Sequence, residues 1–192
     1  MAARYIVFDI ETVGSFSGPF NPLELEMTIC CTYDSKTGAY DSFLKEDLPR
    51  LWKLFEHTDV LVGYNSDHFD IPILNKYYPG DLLKMRSLDI MKEVQNLLGR
   101  RLKLDSIAEA TLGAKKIGSG SQAPQWWKEG KIDLLREYCT KDVELTKKVF
   151  EYALAHNALK YKDLSLVREV RLNTTSWLSE KAAPALTHTL GF

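Results

Sequence analysis

The stretch "YIVFDIETVG", residues 5–14, decides how the chain is read. Tyr5, Ile6, Val7 and Phe8 lead up to Asp9, Ile10 separates it from Glu11, and Gly14 ends the run. An apolar, β-favouring segment without polar alternation before Asp9 predicts a central strand covered on both faces. Residues two apart on a strand point to the same face, about 6–7 Å from one another. Asp9 and Glu11 therefore project together near the strand's C-terminal end. Two ionised acids held close on a buried strand repel each other and lose hydration, so something must neutralise them. Mg²⁺ suits that task because it takes oxygen ligands and keeps waters. A solvated strand end accounts for the pair alone almost as well.

Outward from this strand, "EMTICCTYD" and "AYDSFL" predict two more strands, joined through a turn at "DSKTG". "DLPRLWKLFEH" carries Leu48, Leu51, Trp52, Leu54 and Phe55 at helical spacing. "DVLVGYN" reads as a fourth strand, and "DIPILNKYY" as a helix that tolerates Pro72 in its first turn. "SLDIMKEVQNLLG" begins as a fifth strand and passes into a helix stopped by Gly99. "KLDSIAEATLG" predicts a helix capped by Asp105 or Ser106. Residues 113–130 read as one long irregular loop, followed by a long helix from about Ile132 to about Ala155. For the tail "KYKDLSLVREVRLNTTSW" a terminal β-hairpin is the preferred reading. Strands alternating with helices make an α/β protein with a mixed sheet flanked by helices.

At 192 residues one domain is expected, and 45% hydrophobic with 27% charged residues excludes wholesale disorder. The formal net charge of −1 gives no bulk attraction to nucleic acid or an anionic membrane, so polyanion binding must come from a local basic patch or bound metal ions. Cys30, Cys31 and Cys139 lack the spacing of a zinc site or a disulfide framework, and reduced thiols are expected. With no segment of signal-peptide or membrane-spanning length, a cytoplasmic protein without membrane contact is expected.

Three further features join the first pair. "GYNSDHFDIPIL" puts Asp70 just after a strand, at the start of a helix, where an ordinary N-cap aspartate would also stand. "YCTKD" sets Tyr138 and Asp142 one turn apart on one helix face, as a surface contact would also do. Asp142-Val143-Glu144 repeats the D-x-E pattern, but on a helix residues two apart diverge and do not chelate together.

With these residues in this order, the chain resembles the DEDD superfamily of 3′–5′ exonucleases, in its tyrosine-bearing (DEDDy) branch, which includes polymerase proofreading domains. Asp9 and Glu11 match its first motif, Asn65, Phe69 and Asp70 its second, and Tyr138 and Asp142 its third. The motif-bearing core covers residues 4–155, and 156–192 form a C-terminal extension of the same single domain. The resemblance implies a ribonuclease H-like mixed five-stranded sheet. It implies hydrolysis of terminal phosphodiester bonds of single-stranded DNA or RNA with a free 3′ end, releasing nucleoside 5′-monophosphates. It also implies two divalent metal ions, Mg²⁺ or Mn²⁺, held by Asp9, Glu11, Asp70 and Asp142. With a phenol pKa near 10, Tyr138 is expected to aim the attacking water and not to act as a strong base. Thr12, Asn65, His68 and Phe69 are the candidate substrate-binding residues, although Phe69 suits a core position equally and His68 an ordinary exposed one. Lys115, Lys116, Trp126, Trp127 and Lys128 make a basic, aromatic stretch suited to a single strand, or one tryptophan simply covers the sheet. Asp67, Asp89 and Glu144 read as structural or solvent-facing. A polymerase or helicase on a separate chain is a candidate partner. The alternatives are a catalytically inactive nuclease-like module that binds nucleic acid or docks a polymerase, an endonuclease with a similar acid cluster, and a phosphohydrolase acting on a small nucleotide.

Overall fold

A computed structural model describes residues 3–14, 21–113, 122–164 and 166–179. The main sheet is built from β1 (Tyr5–Gly14), β2 (Leu25–Asp34), β3 (Ala39–Phe43), β4 (Val60–Gly63) and β5 (Ser87–Asp89). The strands lie in the order β3-β2-β1-β4-β5. β1 pairs antiparallel with β2 and parallel with β4, and β5 extends the parallel side. The five expected strands are all present and form one mixed sheet. Because β1, β4 and β5 run the same way, their C-terminal ends share one rim, where crevices form in such sheets.

The apolar residues of β1 divide by parity, as the two-residue period of a strand requires. Ile6, Phe8 and Ile10 enter one core with Leu51, Trp52 and Phe55 of α1 (Leu48–Glu56) and Ile71, Ile73 and Leu74 of α2 (Asp70–Leu74). Val7 enters the other core, under α3 (Ile90–Leu98), α4 (Leu104–Leu112) and α6 (Ile132–His156). Gly99, at φ 69°, ends α3 as expected.

The structure corrects three boundaries. α2 stops at Leu74, after which Lys76 and Tyr77 make tighter bonds to the carbonyls three residues back, and the Asn75 side chain accepts from the Leu82 N–H at 2.7 Å. α4 begins at Leu104 with no side-chain cap, so neither Asp105 nor Ser106 starts it. The stretch read as a loop contains a short helix, α5 (Ala123–Lys128), with Pro124 in its first turn and Ala123 buried in the core. Lys115 and Lys116 fall outside the described residues.

The tail forms the expected hairpin, β6 (Ala158–Asp163) and β7 (Leu166–Arg171), as a separate two-stranded sheet. It leans on α4 through the Thr111 hydroxyl, which donates to the Lys160 carbonyl and accepts from the Lys160 N–H, each at 3.0 Å. Among the described residues no helix is long and apolar enough to cross a membrane.

Candidate active site

Asp9 and Glu11 lie on the face of β1 that α6 covers, and Asp142 comes down from α6 to meet them. Each of the three offers a carboxylate oxygen, and these oxygens all lie within 4.8 Å of one another. Asp142 is buried, while Asp9 and Glu11 are half-buried. Tyr138, one turn earlier on α6, is buried too, and Trp126 of α5 sets its ring edge-on against it at 5.8 Å. Trp127 packs against the core, as the reading of one tryptophan covering the sheet expects.

Asp70 approaches from the other side. Its Oδ1 accepts from the Ile10 N–H at 3.1 Å, which sets the carboxyl against the backbone between the two β1 acids. It stands outside the group of three but acts electrostatically on Asp9. Burial pushes the Asp9 carboxyl well above its usual range, and the charges of Asp70, Asp142 and Glu11 push it further. Asp70 is pushed up to about 7, mainly by burial, against the pull of the Ile10 N–H. Crowded, desolvated carboxylates with only oxygen to offer are the donor set a hard divalent cation takes. The residues fit the metal that the sequence implied.

The loop from β4 to Asp70 is tightly built. Gly63 has no room for a side chain, since a Cβ there would lie 2.4 Å from both Cβ and Oγ of Ser66. Asn65 takes a left-handed backbone at φ 67°, which asparagine tolerates better than most residues. Its side-chain carbonyl accepts from Arg101, and its N–H donates to Asp89 at 2.8 Å. Phe69 is half-buried against the α1–α2 core, and His68 is exposed. Thr12 is buried one residue beyond Glu11 on β1. Beside Asn65 a cavity of about 480 Å³ is lined by Tyr64, Met91, Arg101 and Lys103, and none of the four motif acids lines it. A larger cavity, about 1140 Å³, lies at the opposite rim among Arg4, His57 and Arg86.

The sequence reading missed two contacts. Asp89 is buried and reaches back to the loop before Asp70. Cys139 Sγ lies 3.4 Å from the Asp9 carbonyl oxygen and 3.8 Å from Asp9 Oδ2, directly behind the acid cluster. An aspartate between a strand and a helix signals a cap. Nothing local tells that it also holds a segment more than 20 residues away.

A family model described as the RNase H superfamily matches residues 6–157. With the sheet described above, the fold is RNase H-like, as the resemblance implied. Among solved structures, the family B DNA polymerase from the hyperthermophilic archaeon Pyrobaculum calidifontis aligns with a TM-score of 0.61 and 22% identity, over 79% of this chain and 24% of the polymerase. This chain thus spans about a quarter of that polymerase's length, and the likeness is one of fold. No curated protein sequence matches it.

Proposed function

The chain belongs to the RNase H superfamily, and from that premise we propose that it is a metal-dependent 3′–5′ exonuclease acting on single-stranded DNA or RNA. One observation carries the reading: oxygens of Asp9, Glu11 and Asp142 gather within 4.8 Å where β1 meets α6, with Tyr138 one turn earlier on α6 and Asp70 of α2 held on the Ile10 N–H. Asp9, Glu11 and Asp142 would hold one divalent cation, and Asp70 with Asp9 a second, Mg²⁺ or Mn²⁺. Bound there, such ions activate water and neutralise charge on the phosphoryl oxygens. Asp70, near neutral pKa when empty, gives up its proton as a cation binds, so metal affinity rises with pH.

Tyr138 hydrogen-bonds the attacking water and aims it at the terminal phosphorus, with Trp126 steadying its ring. The backbone at Thr12 cradles the terminal nucleotide. Phe69 and His68 meet its base, and Asn65 touches the strand or braces the loop. Ions between the acids and the phosphates reconcile a polyanionic substrate with a net charge of −1. A separate polymerase or helicase is the proposed partner, on the likeness to a polymerase alone.

The test is a 5′-labelled single strand incubated with Mg²⁺ or Mn²⁺, with product lengths resolved over time. The expected result is a ladder shortening one nucleotide at a time from the 3′ end, with 5′-monophosphates released and no turnover in Asp9→Ala. Internal cleavage would make it an endonuclease, and full activity in Asp9→Ala would overturn the site. Binding without any cleavage would make it a silent module.

A further inference from the structure

We propose that Asp89, which belongs to none of the motifs, is the positioning residue for Asp70 and sets the affinity of the second cation position. The proposal rests on the two-cation reading above. Asp89 ends β5 and starts α3, and its side chain is 4% exposed. Its Oδ1 accepts from the N–H groups of Met91 at 3.0 Å and Lys92 at 3.3 Å, which is an ordinary N-cap. The same carboxylate also accepts from the Asn65 N–H at 2.8 Å, through Oδ1, and from the Asp67 N–H at 3.2 Å, through Oδ2. Those two donors belong to the loop that delivers Asp70.

The restraint continues along the loop. The Phe69 N–H donates to the Asn65 carbonyl at 3.0 Å, and the Ile71 N–H to the Ser66 carbonyl at 2.9 Å, so both neighbours of Asp70 are tied to the braced residues. Asp67 returns the brace, since its side chain accepts from Ser87 Oγ at 2.6 Å and Lys92 Nζ at 2.8 Å. Two carboxylates thus bind the loop to β5 and α3 from opposite directions. The braced stretch includes Asn65 in its left-handed conformation, which L-residues adopt at a cost.

The residue type is informative. A serine or asparagine would cap α3 as well. Only a carboxylate accepts at both oxygens, whereas an amide turns a donor toward one of the N–H groups. A bare cap does not need a buried charge a short distance from Asp70, where it adds to the like-charge field. Loop bracing does.

Mn²⁺ binding to the full chain, followed by titration calorimetry and paramagnetic resonance, tests this. Asp70→Asn identifies the binding step that depends on Asp70. Asp89→Asn is expected to weaken that same step by about 10–100-fold and to leave the other within about twofold. Leu159→Ala, in the terminal hairpin that packs on α4 and α6, serves as a control that lowers the melting temperature without touching the brace or the core under α2, and it should leave both steps unchanged. Asp89→Asn binding both ions as the wild type does, or losing both in parallel, would overturn the proposal. If Asp89→Asn does not fold, Lys92→Ala breaks only the outer brace and must still weaken the Asp70-dependent step, or the proposal fails. A wild-type protein that binds no Mn²⁺ would instead remove the two-cation reading itself.

Discussion

Asp9 concentrates the electrostatic cost of the site, since burial and three neighbouring acids all oppose its ionisation. Asp9→Asn should therefore do two opposite things. Metal-dependent hydrolysis should fall by more than about 100-fold, beyond the loss expected of residues that only orient the metal's ligands. The metal-free protein should melt about 2–5 °C higher, because a carboxyl crowded by three other acids has gone. Calorimetric melts beside the nuclease assay check both, and a lower melting temperature would contradict the crowding argument. Asp70 makes a pH prediction of known sign. Its folded pKa is raised from 3.8 to about 7, so the fold binds a proton that the unfolded chain releases. That contribution is complete below about pH 4 and is lost as pH rises through about 7. The metal-free protein should thus melt higher at pH 5 than at pH 8, and Asp70→Asn should reduce this difference, with Asp9 and Asp89, also raised, contributing to the remainder in the same sense. Asp34 works in the opposite sense, since its hydrogen bonds from Arg4 lower its pKa. Its contribution holds above the ordinary carboxylate range, fades only in acid, and leaves the pH 5–8 comparison clear.

At the scale of elements, strand ends and loop geometry decide where the acids go. The pairing of β1 with β2 slips between Glu11 and Thr12, leaving Thr28 as an extra residue beside the site. Bulges of this kind re-aim side chains near active sites. The β4–α2 loop depends on a close approach that only glycine permits. Gly63→Ala would drive its Cβ into Ser66, and overpacking of this sort costs about 1–3 kcal/mol. We expect a lower melting temperature and weaker nuclease activity. The Ser66 hydroxyl is buried with no hydrogen-bond partner among the described residues, so its removal forfeits no bond there. The double variant Gly63→Ala, Ser66→Gly should recover part of both losses, and a double variant no better than the single one would contradict the steric account.

The whole molecule extends past the 6–157 stretch matched by the superfamily, and the extension completes a core. Leu159, Tyr161, Val170, Leu172 and Trp177 are buried with residues of α3, α4 and α6. Trp177 stacks on Phe150 with ring centres 5.8 Å apart and its indole donates to Glu93 at 3.3 Å, while Arg86 grips the carbonyls of Ser176, Trp177 and Ser179. Trp177→Ala should cost about 3–5 kcal/mol. A chain ending at residue 157 should lose its cooperative thermal transition, as seen by circular dichroism, and an unchanged melt would show the extension to be dispensable. The sequence alone determined the acids of β1, the helical pair Tyr138 and Asp142, the five strands and the hairpin. Strand period, helix period and apolar runs are local properties, readable over a few residues. Only the tertiary structure decided that Asp142 joins Asp9 and Glu11 while Asp70 stands beside them on the Ile10 N–H. It alone made Asp89 a brace for a loop 22–24 residues earlier. Such contacts arise from how the sheet, α6 and the loops pack in space, and residues that meet that way leave no periodic mark along the chain.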